Sequence, residues 1–178
     1  MTSLAQAVTE VLSVFTILVH FLLFVVIIAA LTPRNPASNR VIGLVQKHIL
    51  ALGFFTVASA LASSLFYSVI ANFTPCSLCW WQRIFLFPQL ILFGLAFKKK
   101  DRAILPYVLW LSVIGGLIAL YHTYIQFGGI QFLPCPATGI SCTQRFFLEF
   151  GYITIPTMSL TIFVALITFL LIARKTRE

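Results

Sequence analysis

Long apolar runs separated by short polar segments make up most of the chain. Five of these runs approach or exceed the roughly 20 mostly apolar residues that a helix needs to cross a bilayer. They occupy residues 11–31, 49–72, 80–97, 104–127 and 152–173. Lipid offers the backbone no outside hydrogen-bond partner, so a helix, which satisfies its own backbone, is the expected structure of each run. The pattern predicts an all-α membrane protein with five transmembrane helices.

The composition agrees with a membrane protein. Hydrophobic residues make up 60% of the 178 residues, charged residues 9%, and the mean hydropathy is +1.02, all far from the values of a soluble domain. A cleaved signal peptide is the alternative for the first run. However, Glu10 precedes that run without any Lys or Arg, and the run is longer than the apolar part of a typical signal peptide. A retained first helix is therefore preferred.

The basic residues predict the orientation of the helices. The net charge of +8 would suggest a nucleic-acid partner in a soluble protein, but here the positions of the charges are more informative. Basic residues mark the cytoplasmic side of a membrane protein. If all five runs span, ten of the twelve Lys and Arg residues fall on one side: Arg34, Arg40, Lys47, Lys98, Lys99, Lys100, Arg102, Arg174, Lys175 and Arg177. The N-terminus is then outside and the C-terminus cytoplasmic, and no nucleic-acid partner is expected.

All four cysteines fall on the outer side in this topology. Cys76 and Cys79 precede the third helix, and Cys135 and Cys142 precede the fifth. Disulfides form and persist outside the cytoplasm, so this placement indicates redox chemistry or structural bridges. One zinc ion bound by both pairs and two permanent disulfides are the alternatives. Because a short Cys-x-x-Cys ring gains little stability from chain entropy, thiol-disulfide exchange is the preferred use of the first pair.

The first cysteine pair leads directly into an apolar helix, in the sequence Pro-Cys-Ser-Leu-Cys-Trp-Trp-Gln-Arg that ends at Arg83. Cys79 then lies in or just before the first turn, where unpaired N–H groups and the positive helix end favour a thiolate. Arg83, four residues further on, adds a cation on the same helix face. An arginine so near hydrocarbon indicates a function, and snorkelling to the lipid headgroups is the alternative.

Three further polar positions are candidates for interactions inside the bundle. His122 and Gln126 are four residues apart near the outer end of the fourth helix and share one helix face. Two polar residues that are simply satisfied within the bundle are the alternative. His20, in the first helix, is expected to be an interhelical hydrogen-bond partner or a neutral imidazole that faces the bundle, without a catalytic role. Cys135 stands between two prolines, in a loop suited to exposing a sulfur to attack.

These motifs resemble the DsbB family of quinone-dependent disulfide-forming membrane proteins. The resemblance covers residues 49–173 and rests on the motif ending at Arg83, the second outer cysteine pair and the segment 121–126. The short spacing between Cys135 and Cys142 is most similar to the BdbC-type branch. Residues 49–178 would form the four-helix core of that family. Residues 1–48 would add an N-terminal transmembrane helix and a cytoplasmic loop.

The resemblance implies an activity and its participants. Cys135 and Cys142 would exchange with a DsbA-like thioredoxin-like thiol oxidase outside the cytoplasm, and Cys76 and Cys79 would then reoxidise them. Electrons would pass from Cys79 to a quinone, menaquinone or ubiquinone, without a metal. The protein would lie in the bacterial cell membrane and support disulfide bond formation in exported proteins. The residues implied in quinone binding are Arg83, His122 and Gln126.

Other functions remain open at this point. An enzyme resembling vitamin K epoxide reductase is also a small helical bundle with cysteine pairs and a quinone. Its active Cys-x-x-Cys usually lies in a later helix than the loop pair, which is the reverse of the order here. A non-enzymatic membrane scaffold with structural disulfides is the second alternative. A transporter is disfavoured, because no predicted helix carries a buried carboxylate that would line a substrate path.

Overall fold

The computed structural model describes residues 3–32, 35–132 and 140–174. Within these ranges the chain forms five helices and no β-strand, apart from an isolated bridge between Glu149 and Ile153. All five helices are long and apolar enough to cross a membrane, which confirms the predicted all-α membrane fold. The helices are α1 (Ser3–Leu31), α2 (Pro36–Leu65), α3 (Ser77–Lys99), α4 (Leu105–Gln126) and α5 (Ile155–Arg174).

Helices α1 and α2 begin well before the apolar runs that predicted them. α1 begins at Ser3, and α2 begins at Pro36, where the Asn35 side chain accepts a hydrogen bond from the Ala37 N–H at 3.0 Å. Asparagine is a favoured N-cap and proline suits the first helical turn. α2 has a kink at His48 (φ −106°, ψ 15°), immediately before the predicted start of the span at residue 49. The apolar run therefore marked only the part of α2 that follows this kink.

Two local structures lie at the end of the bundle where α3 begins. α2 continues into a π-helical turn, Phe66–Ile70. α5 begins at Ile155, three residues later than the predicted run, because the chain first turns through Phe150 and Gly151, both with positive φ. The Glu149–Ile153 bridge closes this turn. We call this end of the molecule the cysteine end, since it carries Cys76 and Cys79 at the start of α3.

Helices α2 to α5 pack in a ring around one apolar core. Each neighbouring pair in the ring is in contact, and α1 packs on the outside against α2 and α5. Two glycines permit close approach: Gly53 of α2 lies against the fully buried ring of Phe93, and Gly115 of α4 lies against Phe163. Small residues at helix interfaces are the usual device for close packing in lipid.

Polar contacts attach α1 to the ring. Near its N-terminus, Thr9 accepts a hydrogen bond from the Tyr67 hydroxyl at 3.2 Å, and both residues are buried. Further along, His20 Nε2 lies 2.7 Å from Thr161 Oγ1, and His20 Nδ1 lies 3.3 Å from the Tyr152 hydroxyl. The predicted interhelical role of His20 is confirmed by these contacts with α5 and the turn before it.

The two glycines of α2 at positions 43 and 53 provide a matched test of the packing. A Cβ at Gly53 would overlap the Phe93 ring, whereas a Cβ at Gly43 would meet nothing within 4 Å. We expect Gly53→Ala to destabilise the protein by about 1–3 kcal/mol through overpacking. Gly43→Ala should stabilise it by about 0.4–1 kcal/mol through reduced chain entropy. Unfolding of the two variants in detergent checks both signs, and equal shifts would contradict this packing of α2 on α3.

Candidate active site

The start of α3 brings two cysteine thiols together. Cys76 is the N-cap residue, with extended backbone (φ −72°, ψ 171°), and Cys79 lies one turn later. Their sulfur atoms are 3.3 Å apart and both thiols are free. Cys76 is buried and Cys79 is partly exposed. This arrangement is that of a dithiol that can close to a disulfide with small side-chain rotations.

His122 of α4 connects this pair to the loop before α5. The Gln82 side-chain amide lies 3.1 Å from His122 Nδ1, and His122 Nε2 lies 3.1 Å from the Cys142 carbonyl oxygen. An amide N–H donates, so Nδ1 is the acceptor and Nε2 carries the proton that the carbonyl accepts. The same Nε2 is 3.6 Å from the Cys76 sulfur. An imidazole held by hydrogen bonds at both ring nitrogens therefore lies against the first cysteine pair.

Sequence reasoning did not identify Gln82. It is 5% exposed and lies in α3 three residues after Cys79 and directly before Arg83. An uncharged polar residue at that depth needs a partner from within the bundle, and here the partner is His122. The position of Gln82 in the sequence could have indicated its role, because Gln82 lies one helical turn after Cys79 and directly before Arg83.

Cys142 lies directly beside the first pair. It is disulfide-bonded and 1% exposed, and it packs with Cys76, Leu78 and Ile125 in one buried cluster. Its sulfur is 3.5 Å from the Ser77 hydroxyl. Cys135, the other predicted member of the second pair, lies outside the described residues. The structure thus brings three of the four predicted cysteines to one location.

The contacts around the first pair favour a thiolate at Cys76. The hydrogen bond with the Cys79 thiol is the main cause that lowers the pKa of Cys76, and the contact with His122 acts in the same direction. Burial of the sulfur raises the pKa and is outweighed. The sequence predicted the reactive thiolate at Cys79 from its place in the first turn. The donors to a thiolate instead converge on Cys76, because His122 reaches the N-cap sulfur.

Arg83 points into the bundle and does not reach for the lipid headgroups. Its Nε donates to Ser64 Oγ at 2.8 Å, and one terminal nitrogen donates to the Ser64 carbonyl at 2.7 Å and to Ser68 Oγ at 3.0 Å. The guanidinium carbon also lies 5.2 Å from the centre of a Trp80 ring. Arg83 is only 6% exposed, so the snorkelling alternative is wrong. All of these hydrogen-bond partners are neutral oxygens, and the cation is not neutralised by them.

A cavity of about 140 Å³ lies next to Cys79. Its polar end is formed by Cys79, Gln82 and Arg83 of α3, together with serines of α2. Most of the remaining wall is apolar and comes from α1, α5 and the loop before α5, including Ile162 and Phe146. Cys76 faces the His122 and Cys142 side, and Cys79 borders the cavity. The two cysteines of one pair therefore border different parts of the protein interior: Cys76 packs with Cys142, and Cys79 lines the cavity.

The two other predicted quinone-binding residues do not border this cavity. His122 contacts the cysteines instead, as described above. Gln126 donates from its side-chain amide to the Gln144 carbonyl at 3.0 Å, and Arg145 donates from Nε to the Gln126 carbonyl at 2.9 Å. The Oε1 atom of Gln126 is buried without a hydrogen-bond partner. Gln126 thus fastens the loop before α5 to the end of α4.

The donor atoms of Cys76, Cys79 and His122 lie within 4.8 Å of one another, close enough to hold a metal ion. Zinc in such a site would need the deprotonated Nε2 of His122. In the structure that atom carries the proton given to the Cys142 carbonyl. The observed hydrogen bonds fit a thiol-exchange site more directly than a metal centre.

Similarity to known proteins agrees with this chemistry. The model of the family described as "Disulfide bond formation protein DsbB" matches residues 46–173. The chain belongs to the DsbB family. The DsbB match includes both cysteine pairs, His122 and Arg83, and begins after α1. No solved structure matches the chain.

Several curated relatives are similar over most of their length. Disulfide bond formation protein C of Bacillus subtilis is 35% identical over 137 residues, which are 75% of this chain and 93% of that protein. The probable disulfide formation protein C of Halalkalibacterium halodurans is 39% identical over 131 residues, 71% of this chain and 94% of that protein. The predicted resemblance is confirmed. This DsbB family member is a multi-pass membrane disulfide oxidoreductase.

The contact between His122 and Cys76 predicts a pH dependence of alkylation in the reduced protein. A thiolate is the reactive form, so a lowered pKa makes Cys76 react at a pH well below the about 8.5 of a free cysteine. His122→Phe removes one stabilising contact and should move the midpoint of Cys76 alkylation to higher pH. Mass spectrometry of Cys76 after short iodoacetamide pulses from pH 4 to 9 measures this midpoint.

The control for this experiment is Thr123→Val on the same helix. Thr123 donates only to the Ala119 carbonyl in the described contacts, at 2.8 Å, and does not touch the cysteines. In Thr123→Val the midpoint pH of Cys76 alkylation should equal that of the wild type. Equal midpoints in His122→Phe and Thr123→Val would show that His122 has no influence on the Cys76 thiolate.

Proposed function

We propose that this DsbB family protein reoxidises an extracytoplasmic thioredoxin-like thiol oxidase and passes the electrons to a membrane quinone. One observation carries the proposal. Cys76 lies against Cys142, whereas Cys79 borders an apolar cavity that also contains the buried cation of Arg83. A dithiol between a loop disulfide and an apolar cavity is suited to moving electrons from a soluble protein to a lipid-soluble acceptor.

The exchange steps use only cysteines of the partner and of this chain. A thiolate of the reduced partner attacks the disulfide of Cys135 and Cys142; a second partner thiolate displaces the mixed disulfide, leaving the partner oxidised and this pair as two thiols. A thiolate of this pair then attacks the disulfide of Cys76 and Cys79, and the electrons arrive on the first pair. His122, which touches Cys76 and the Cys142 backbone, holds Cys142 next to the first pair for this step.

The lining of the cavity suits a quinone. A quinone has an apolar ring and tail with carbonyl oxygens that accept hydrogen bonds. The cavity offers an apolar wall and, beside Cys79, the side chains of Gln82 and Arg83. Arginine has five N–H donors, and the hydrogen bonds described above use only Nε and one terminal nitrogen. When bound, a quinone such as menaquinone or ubiquinone accepts two electrons and two protons.

We further propose that the cysteine end faces outward and that the loop between α3 and α4 is cytoplasmic. The basic residues Lys98, Lys99, Lys100 and Arg102 support this orientation by the positive-inside rule. An outward cysteine end would meet a thiol oxidase in the compartment where disulfides persist.

Labelling from outside intact cells tests this orientation. In a background without native cysteines, Ser141→Cys should react with a membrane-impermeant maleimide, because Ser141 is exposed at the cysteine end. Lys99→Cys, exposed at the opposite end, should react only after the membrane is permeabilised. Labelling of both positions from the same side of the membrane, or labelling of Lys99→Cys alone in intact cells, would contradict the proposed topology.

Arg83 provides the test of the proposed activity. Purified full-length protein, a reduced thioredoxin-like oxidase and a quinone analogue should yield the hydroquinone. Arg83→Ala removes the cation and its donors from the cavity and should raise the quinone KM by about 10- to 100-fold, the equivalent of one hydrogen bond to a charged group. Arg83→Lys should restore only part of the lost quinone affinity, because lysine keeps the charge but lacks the planar fork of donors.

The matched control is Arg102→Ala, which removes an arginine at the other end of the bundle, where it donates to the Gln46 carbonyl at 2.9 Å. Its quinone KM should equal the wild-type value. If the wild type reduces no quinone, the electron acceptor is wrong. If the wild type reduces quinone but the quinone KM of Arg83→Ala equals that of Arg102→Ala, quinone binds elsewhere.

A further inference from the structure

Helix α1 lies outside the region that matches the DsbB family, yet it borders the cavity beside Cys79. The family match begins at residue 46, whereas α1 ends at Leu31. Four side chains of α1 line the cavity: Leu12, Phe15, Thr16 and Val19. The helix is therefore part of the wall of the proposed quinone site.

These four residues form one stripe on the helix. Counted from Leu12 they stand at positions i, i+3, i+4 and i+7, which lie on the same helix face over about two turns. Neighbouring positions point elsewhere: Leu18 is 60% exposed and Phe21 is 68% exposed on the outside of the bundle. The stripe is thus a defined surface of α1 and not a general property of an apolar helix.

Hydrogen bonds on either side of the stripe fix α1 in this position. Thr9, before the stripe, accepts from the Tyr67 hydroxyl, and His20, after it, bonds to Thr161. Tyr67 and Thr161 line the same cavity. Sliding α1 by one turn would break both contacts and leave polar groups unpaired in an apolar environment, which is unfavourable. The register of α1 is therefore tied to the shape of the cavity.

The geometry points to α1 as a quinone-binding element of this protein. Leu12 and Phe15 contact the bound quinone and determine which quinones fit, as specificity residues that the matched family region does not contain. This inference rests on the proposed function. Leu12 is partly buried in the wall, whereas Phe15 is 53% exposed and lies where the cavity approaches lipid.

Photo-cross-linking tests the position of the quinone independently of turnover. Full-length wild-type protein in lipid nanodiscs is irradiated with a short-chain benzoquinone that carries an aryl azide, and the labelled peptides are mapped by mass spectrometry. We expect label in α1 at residues 12–19 as well as in α3, and an excess of unmodified quinone should remove both.

A matched pair of variants tests the effect on quinone use. Leu12→Trp adds bulk inside the cavity and should raise the quinone KM at least about tenfold, because overpacking a filled site is unfavourable. Leu18→Trp makes the same change on the exposed face of α1 and should leave KM unchanged. Attack of dithiothreitol on the Cys76 sulfur of the Cys76–Cys79 disulfide should be the same in both variants, because Cys76 packs on the Cys142 side and does not line the cavity.

The outcomes separate this inference from the proposed function. Label on α1, together with a raised KM in Leu12→Trp alone, supports both. If the wild type reduces quinone, label confined to α2–α5 or an equal KM in two folded variants overturns the role of α1 and leaves the function intact. If Leu12→Trp does not fold, the wild-type label decides. Absence of both label and quinone reduction in the wild type overturns the function and the inference with it.

Discussion

The hydrogen bonds of His122 are the interaction on which the active site depends. This imidazole accepts from Gln82 of α3 and donates to the Cys142 carbonyl in the loop before α5, and it also touches the Cys76 sulfur. One side chain of α4 thereby connects α3 to the loop that carries the second cysteine pair. Because it is buried, each of its nitrogens must find a partner inside the protein. That requirement holds the two cysteine sites next to each other.

The separation of the two sulfurs follows from where α3 begins. An N-cap residue has extended backbone, so the Cys76 side chain leaves the helix toward α4 and the loop before α5. Cys79, inside the first turn, instead borders the cavity with Gln82 and Arg83. A Cys-x-x-Cys motif across a helix start thus gives one dithiol access to two environments. This is the structural basis of the proposed exchange, which would start at a soluble protein and end in the membrane.

Buried polar residues also determine how α1 joins the four-helix ring. Lipid tails are as apolar as leucine, so apolar contact alone would specify neither the position nor the rotation of an added helix. The hydrogen bond that Tyr67 donates to Thr9 and the one between His20 and Thr161 supply that specificity. As a result, α1 is fixed against α2 and α5 and completes one side of the cavity.

The sequence by itself determined the five membrane helices, the cysteine pair at the start of α3 and the family. Hydropathy and motif spacing are local properties of the sequence. In lipid the backbone must form its hydrogen bonds within the helix itself, so these features could be predicted from short stretches of sequence. Other features were decided only by the tertiary structure. Ser64 and Ser68 hold Arg83, and Gln82 orients His122. Gln126 fastens the loop before α5, and α1 borders the cavity. Those contacts depend on the rotation of each helix about its axis. In a membrane protein the lipid-facing and core-facing sides of a helix are both apolar, so the hydrophobic pattern that reveals this rotation in a soluble helix is nearly absent here.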